Sequence, residues 1–315
     1  MTFRPPSDPD RFAPRFAEIA TLLRAPLATG LEGVDIGAFG IPYDGALTNR
    51  PGARHGPREI RNQSSLIRTI NHATRIDPFA ITTVRDIGDV AFSGIFDIET
   101  SHNEIEAFTA DLVTAGILPL AFGGDHSVSL PLLRAIAKDG PVAMIHVDAH
   151  TDTWDSFQGS KFNHGAPFRR AVEENLIDPK ATIQIGIRGT QNLSEGWDYS
   201  EATGMRVVFC EELHDKGPAT IAEEARALVG DRPVYLTFDI DSLDPVYAPG
   251  TGTPEIGGMT THQAQVLLRG LRGLNYVGAD LVEVSPPFDS GYVTALAGAA
   301  LGYEILCLLA ESRTG

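Results

Sequence analysis

Cysteine is nearly absent from this chain: Cys210 and Cys307 stand alone in 315 residues, which excludes a disulfide framework and argues against a structural zinc site. Basic residues are also scarce, 25 against 41 acidic, for a formal net charge of −16. Such a chain is a poor candidate for binding nucleic acid or an anionic membrane, because both need a basic face that releases counterions. No uninterrupted apolar stretch approaches the roughly 20 residues of a membrane span. The opening residues lack the charged-then-apolar pattern of a secretory signal, so the cytoplasm is the expected compartment. No GxxxxGK[ST] loop occurs, Gly37-Ala38-Phe39-Gly40 does not complete a dinucleotide fingerprint, and no GxSxG elbow surrounds Ser127. Nucleotide chemistry and a serine nucleophile are thereby set aside, and Ser127 reads as a helix cap.

What is present is acidic and imidazole chemistry in three short segments: Gly123-Gly124-Asp125-His126, Asp148-Ala149-His150-Thr151-Asp152 and Asp239-Ile240-Asp241. Each follows an apolar run of the kind that forms a buried strand, at 117–122, 142–147 and 234–238. In extended backbone alternate side chains share a side, so Asp148, His150 and Asp152 can converge, as can Asp239 and Asp241. Alone, each aspartate would read as a turn or cap residue; three such segments at strand ends point to a metal site. Charge counting asks for two ions: one divalent cation leaves the four carboxylates Asp148, Asp152, Asp239 and Asp241 at net minus two, and two bring them to zero with His126 and His150 neutral. Oxygen-rich ligation mixed with imidazole favours Mn²⁺, with Co²⁺, Ni²⁺, Fe²⁺ or Zn²⁺ as substitutes.

The 43% hydrophobic content supplies an ample core. Strands are predicted at 34–41, 81–87, 117–122, 142–147, 182–187, 206–209, 234–238 and 276–282, with helices at 57–68, 98–115, 129–137, 219–229, 261–271 and 293–310. Alternating strands and helices predict one three-layer α/β/α domain with a mostly parallel sheet of about eight strands, over residues 31–315. Residues 1–30, with prolines at 5, 6, 9, 14 and 26, read as an irregular arm that packs either on the domain or on a neighbouring subunit.

With its motifs extended to Gly123-Gly124-Asp125-His126-Ser127, His146-Val147-Asp148-Ala149-His150-Thr151-Asp152 and Thr237-Phe238-Asp239-Ile240-Asp241-Ser242-Leu243-Asp244-Pro245, the chain resembles the ureohydrolases, the family of arginase and agmatinase. The segments Asn49-Arg50-Pro51-Gly52-Ala53-Arg54, His164-Gly165-Ala166-Pro167-Phe168-Arg169-Arg170 and Val282-Glu283-Val284-Ser285-Pro286-Pro287 look most like its agmatinase branch, a pattern that guanidinobutyrase and guanidinopropionase share. The resemblance implies an arginase-like fold and two Mn²⁺ per chain. One ion would be held by His126, Asp148, Asp152 and Asp239 and the other by Asp148, His150, Asp239 and Asp241, while Asp125 orients its loop.

It further implies hydrolysis of a small guanidino compound to urea and an amine, by attack of a metal-bridging hydroxide. Agmatine giving putrescine is the first expectation, and 4-guanidinobutyrate or 3-guanidinopropionate the alternative. His164 matches the family's proton shuttle, and Asp152 joins it and Glu283 as a catalytic residue. Glu283, at a strand end before a Pro-Pro turn, should receive the guanidinium through a forked, charge-assisted hydrogen bond. Thr253 should back up that contact, and Asn163, beside His164, is assigned to substrate binding. Homo-oligomers, trimeric or hexameric, are the family's habit; the arm and the apolar helix toward the C-terminus are the expected contact surfaces.

Overall fold

The computed structural model describes residues 14–314. Within them the strands are β1 (Ile36–Gly40), β2 (Val84–Asp89), β3 (Leu118–Phe122), β4 (Val142–Val147), β5 (Ile177–Ile187), β6 (Arg206–Phe209), β7 (Pro233–Asp239) and β8 (Asn275–Val282), mostly apolar except β2 at the sheet's edge. They make one sheet in the order β2-β1-β3-β8-β7-β4-β5-β6, with every neighbouring pair parallel. Continuous hydrophobicity is what a parallel sheet covered on both faces requires. Along β4, Ala143, Ile145 and Val147 enter one core layer while Val142 and Met144 enter the other. The first layer is closed by helices Gly56–Ser64, Pro218–Val229, Thr261–Gly270 and Val293–Thr314, and the second by Ile98–Thr114, Ser129–Ile136 and Pro167–Glu173. The single α/β sandwich predicted from the alternation is thus present.

Four short helices escape the sequence pattern: Pro78–Ile81, Pro167–Glu173, Glu195–Thr203 and Cys210–Lys216. Each has fewer than three turns, too few for a 3.6-residue period to stand out. Ile81, expected to begin β2, instead ends the first of them, which starts at Pro78 with the Asp77 side chain accepting the Phe79 N–H at 3.0 Å.

The last helix also departs from expectation. Val293–Thr314 is 22 residues long, and an 18-residue stretch of it has a mean hydropathy of 1.8, enough by length and composition to cross a membrane, but 83% of that stretch is buried inside the domain. A helix apolar all round belongs in a core. Its one deeply placed acid, Glu304, is held by Arg269 and by the Asn71 amide at 2.8 Å. This helix is spent within the fold and offers little surface for a subunit contact.

Of the proline-rich arm, residues 1–13 lie outside the described residues. Leu22 and Leu23 are core residues, and the Leu22 N–H donates to Asp86 Oδ2 at 2.8 Å, so this part of the arm packs on its own domain beside β2.

The topology places the site. The chain builds outward through β3, crosses to β4, and later returns to fill the gap with β7 and β8, so the C-terminal ends of β3, β8, β7 and β4 lie side by side. In open α/β sheets this reversal of strand order leaves the crevice where ligands bind.

Candidate active site

The turn after β3 must pass close to the Tyr43 backbone: a Cβ on Gly124 would stand 1.5 Å from the Tyr43 carbonyl oxygen, so only glycine fits. Asp125 then caps the turn, accepting from the Ser127 N–H at 3.0 Å and the Ser127 hydroxyl at 2.5 Å, while its other oxygen accepts the Ala46 N–H at 2.9 Å. It holds the loop, as expected. Burial and the neighbouring Glu283 charge push its pKa up to about 7.

His126 follows and is fully buried. Its Nε2 lies 2.8 Å from the Thr237 hydroxyl, a contact that can take the ring proton and leave a lone pair on Nδ1. Around Nδ1 stand Asp148 Oδ2 at 3.0 Å, Asp152 Oδ2 at 3.0 Å and Asp239 Oδ2 at 3.2 Å, yet Nδ1 makes no hydrogen bond to any of them. One ring nitrogen cannot serve three carboxylates with a single proton. An orphaned nitrogen ringed by carboxylate oxygens is a donor set for a cation.

A second set adjoins the first. His150 Nδ1 lies 3.1 Å from Asp241 Oδ2 and 3.5 Å from Asp148 Oδ1, so the two oxygens of Asp148 divide between the two histidines. Asp148, His150 and Asp241 could hold a metal ion together. Asp239 gives Oδ2 to the first set and accepts the Asp241 N–H on Oδ1 at 2.8 Å. All six side chains expected to ligate metal therefore meet at one crevice, and their chemistry fits a pair of divalent cations.

Burial, with the charges of Asp241 and Asp148, holds Asp239 well above the ordinary carboxylate range, and burial with Asp148 also raises Asp241. Burial opposes charge on His126 and His150, but the surrounding carboxylates outweigh it and raise both. Asp148 goes the other way: burial resists its ionisation, and the imidazoles of His146, His126 and His150 drive its pKa well below the usual value.

Two contributors were not singled out from the sequence. His146 sits behind the cluster, with Nε2 2.7 Å from Asp148 Oδ2 and Nδ1 3.1 Å from the Gln184 amide. The His-x-Asp alternation at the end of β4 was the available signal, since residues two apart share a face. Arg188, just past the end of β5, is buried and turned to carbonyls. It donates to Asp241 O at 2.7 Å, Leu243 O at 3.2 Å and Gly186 O at 3.1 Å, and to Glu255 O at 2.7 Å and Ile256 O at 3.2 Å. It straps the ligand-bearing turn to the loop at Glu255. Arg188→Met should cost about 2–4 kcal/mol in chemical denaturation and weaken retention of one ion about 10- to 100-fold in metal titrations. Unchanged stability would show the strap to be incidental.

Above the metal sets opens a cavity of about 340 Å³, of a size for a small molecule. His150, Asp152 and Asp239 form part of its floor, His164 and Thr48 one wall, and Arg50, Trp154, Gln191, Thr253 and Glu255 its rim and sides. His164 Nδ1 lies 3.1 Å from Glu283 Oε1. Burial opposes a charge on His164, but the hydrogen bond to Glu283 and the nearby carboxylates raise its pKa. Glu283 stands behind His164: Oε1 also accepts the His126 N–H at 2.9 Å, and Oε2 is buried without a partner. Glu283 and Asp152 both hold positive φ, at 66° and 50°, a strained backbone for such residues of the kind that collects at functional positions.

Two sequence assignments change. Asn163 does not line the cavity; its amide ties its own loop, accepting from the Gly165 N–H at 3.0 Å and donating to the Ser160 carbonyl at 3.2 Å. Thr253 lines the cavity but donates to Asp241 Oδ2 at 3.2 Å rather than supporting Glu283. Both depend on loop conformations that spacing does not report.

Comparison with known proteins accords with this geometry. The chain is 52% identical over 300 residues to the guanidinopropionase of Pseudomonas aeruginosa, covering 95% of this chain and 94% of that protein. It is 46% identical over 311 residues to the mitochondrial agmatinase of Gallus gallus, covering 98% and 91%. Among solved structures, proclavaminate amidino hydrolase from Streptomyces clavuligerus superposes with a TM-score of 0.91 at 40% identity, covering 95% of this chain and all of that one. Residues 34–308 match the family described as the arginase family. The chain belongs to the arginase family and is an amidinohydrolase of its agmatinase-like branch.

Proposed function

We propose that this protein hydrolyses a small linear guanidino compound to urea and an amine, with two divalent cations held by His126, Asp148, Asp152, Asp239, His150 and Asp241. The observation that carries this reading is the orphaned His126 Nδ1 ringed by three carboxylate oxygens, beside the unpartnered Glu283 Oε2. Mn²⁺ suits the oxygen-rich donor set best, and Co²⁺, Ni²⁺, Fe²⁺ and Zn²⁺ are substitutes. When bound, such cations acidify water towards neutrality and so supply the nucleophile.

The protein's own residues correct the weakness of the electrophile. A guanidinium spreads its charge over three nitrogens, and a fixed carboxylate can orient it. Glu283 Oε2, buried just behind the cavity lining, is the acceptor left free for it, since Oε1 is committed to the His126 N–H and His164, so binding of the guanidinium must open a path to it. Held there, the guanidino carbon is directed toward the crevice floor formed by Asp152 and Asp239. The departing amine nitrogen needs a proton, and His164 is the titratable group on that wall.

The tail is read at the rim, which carries both signs of charge. Glu255 suits the ammonium of agmatine, so that putrescine is the product; Arg50, whose guanidinium lies 5.4 Å from the Phe288 ring centroid, suits the carboxylate of 4-guanidinobutyrate or 3-guanidinopropionate. Urea release from agmatine, those two acids and arginine by Mn²⁺-loaded protein tests the reading. Glu255→Gln should lower kcat/KM for agmatine about 10- to 100-fold, and Arg50→Ala should do so for the acids, since losing a charged hydrogen bond costs about 1.5–3 kcal/mol. No urea from any of the four compounds would sink the proposal.

A further inference from the structure

His164 cannot pass a proton from its present position straight into the cavity, because both ring nitrogens face protein groups. Nδ1 is 3.1 Å from Glu283 Oε1, and Nε2 is 2.7 Å from the Thr48 hydroxyl and 3.2 Å from the Thr48 N–H. Of those partners only Thr48 lines the cavity. Its position is braced from both sides. The Ala46 N–H donates to Asp125 at 2.9 Å, the His164 N–H donates to Ala46 O at 3.1 Å, and the Gly52 N–H donates to Asp44 at 2.8 Å. The segment bearing Thr48 and the loop bearing His164 are thus tied together independently of the side-chain contact.

We propose that the Thr48 hydroxyl is a catalytic proton relay between His164 and the departing amine, an inference that rests on the amidinohydrolase reading above. In the delivery step His164 Nε2–H gives its proton to Thr48 Oγ as the hydroxyl's own proton passes to the amine nitrogen. The C–N bond breaks with its electron pair going to that nitrogen, and Thr48 stays neutral throughout. The reverse transfer, from attacking water through Thr48 to His164 Nε2, recharges the ring. A hydroxyl suits this role because it can both accept from and donate to the same nitrogen. The Thr48 N–H favours the neutral ring by donating to Nε2, Glu283 favours the charged ring by accepting from Nδ1, and the side chain between them can exchange its proton with either form.

Thr48→Val keeps shape and removes the hydroxyl. On the Mn²⁺-loaded enzyme it should lower kcat about a hundredfold while KM and bound metal stay within about threefold. Thr48→Ser should restore kcat to within about threefold. A passive packing role would not give the third result expected: in a His164→Ala background Thr48→Val should have no further effect, because relay and ring act as one unit. A Thr48→Val enzyme with parental kcat, or losses that multiply in the double variant, would overturn the relay alone. Absence of urea release from the parent enzyme would overturn the amidinohydrolase reading and the relay with it.

Discussion

Asp241→Ala removes most of the activity while leaving the metal-free protein folded and more stable than its parent above pH 6. The activity loss, about a thousandfold or more in kcat/KM, follows from taking away a carboxylate that stands 3.1 Å from His150 Nδ1 in the second donor set. Metal analysis should then find one ion per chain instead of two. The gain in stability has the opposite cause. Without cations, Asp148, Asp239 and Asp241 crowd together in a buried site, and burial with mutual repulsion raises Asp239 and Asp241. A raised carboxylate pKa means that the unfolded chain gives up its proton first as pH rises. Between the ordinary carboxylate range and the raised value the folded form holds more protons, so stability falls with rising pH. His126 and His150, also raised, add loss of the same sign above their ordinary range. The lowered pKa of Asp148 acts only in more acidic solution and does not enter this window. Melts of the metal-free parent at pH 5, 6.5 and 8 should therefore show a falling midpoint, and saturating Mn²⁺ at pH 8 should restore about 2.7 kcal/mol at a hundredfold excess over Kd. Asp241→Ala should flatten the pH dependence and forfeit part of the metal response. A metal-free midpoint that climbs from pH 5 to pH 8 would contradict the crowded-carboxylate account.

The sheet was legible because its central strands are buried on both faces: an apolar run such as Val142–Val147 carries its own signature, and each of the eight predicted strands has a counterpart in the structure. The ligands were legible for a related reason. Asp148, His150 and Asp152 take alternate positions just past a strand, where local geometry alone makes them convergent. What spacing could not supply was anything set by a loop meeting another loop. No motif says what Arg188 touches, and only the fold shows it buried against the Asp241 and Glu255 carbonyls. Asn163 looks like a neighbour of chemistry and is a fastener of its own turn. Thr48, which no motif distinguishes, comes to His164 across 116 positions of sequence. The hydrophobic C-terminal helix shows the limit from the other side: composition alone permits a membrane span, and only the 83% burial of its most apolar 18-residue stretch places it in the core.

His164→Ala and Glu283→Gln should both be nearly inactive, but for separable reasons. Removing the imidazole takes away the proton donor and leaves the ligands untouched, so kcat should fall about 10²- to 10⁴-fold with KM and metal content preserved. Glu283→Gln keeps a carbonyl to accept the His126 N–H, now 2.9 Å from Oε1, but replaces the unpartnered Oε2 with a donor or removes its charge. A guanidinium offers only N–H groups, so it then meets a neutral amide where a carboxylate stood. The expected result is a rise in KM as well as a fall in kcat, with kcat/KM down at least about a thousandfold. Free guanidinium ion gives an independent reading: as a competitive inhibitor it should bind the parent and His164→Ala similarly and lose affinity for Glu283→Gln. The same substitution removes the carboxylate charge that helps raise His164, so the pKa of the ring should fall. Any residual activity that requires protonated His164 should then shift its alkaline limb to lower pH. A Glu283→Gln enzyme with unchanged guanidinium inhibition would place the substrate's charged end elsewhere in the cavity and leave Glu283 the narrower task of orienting His164.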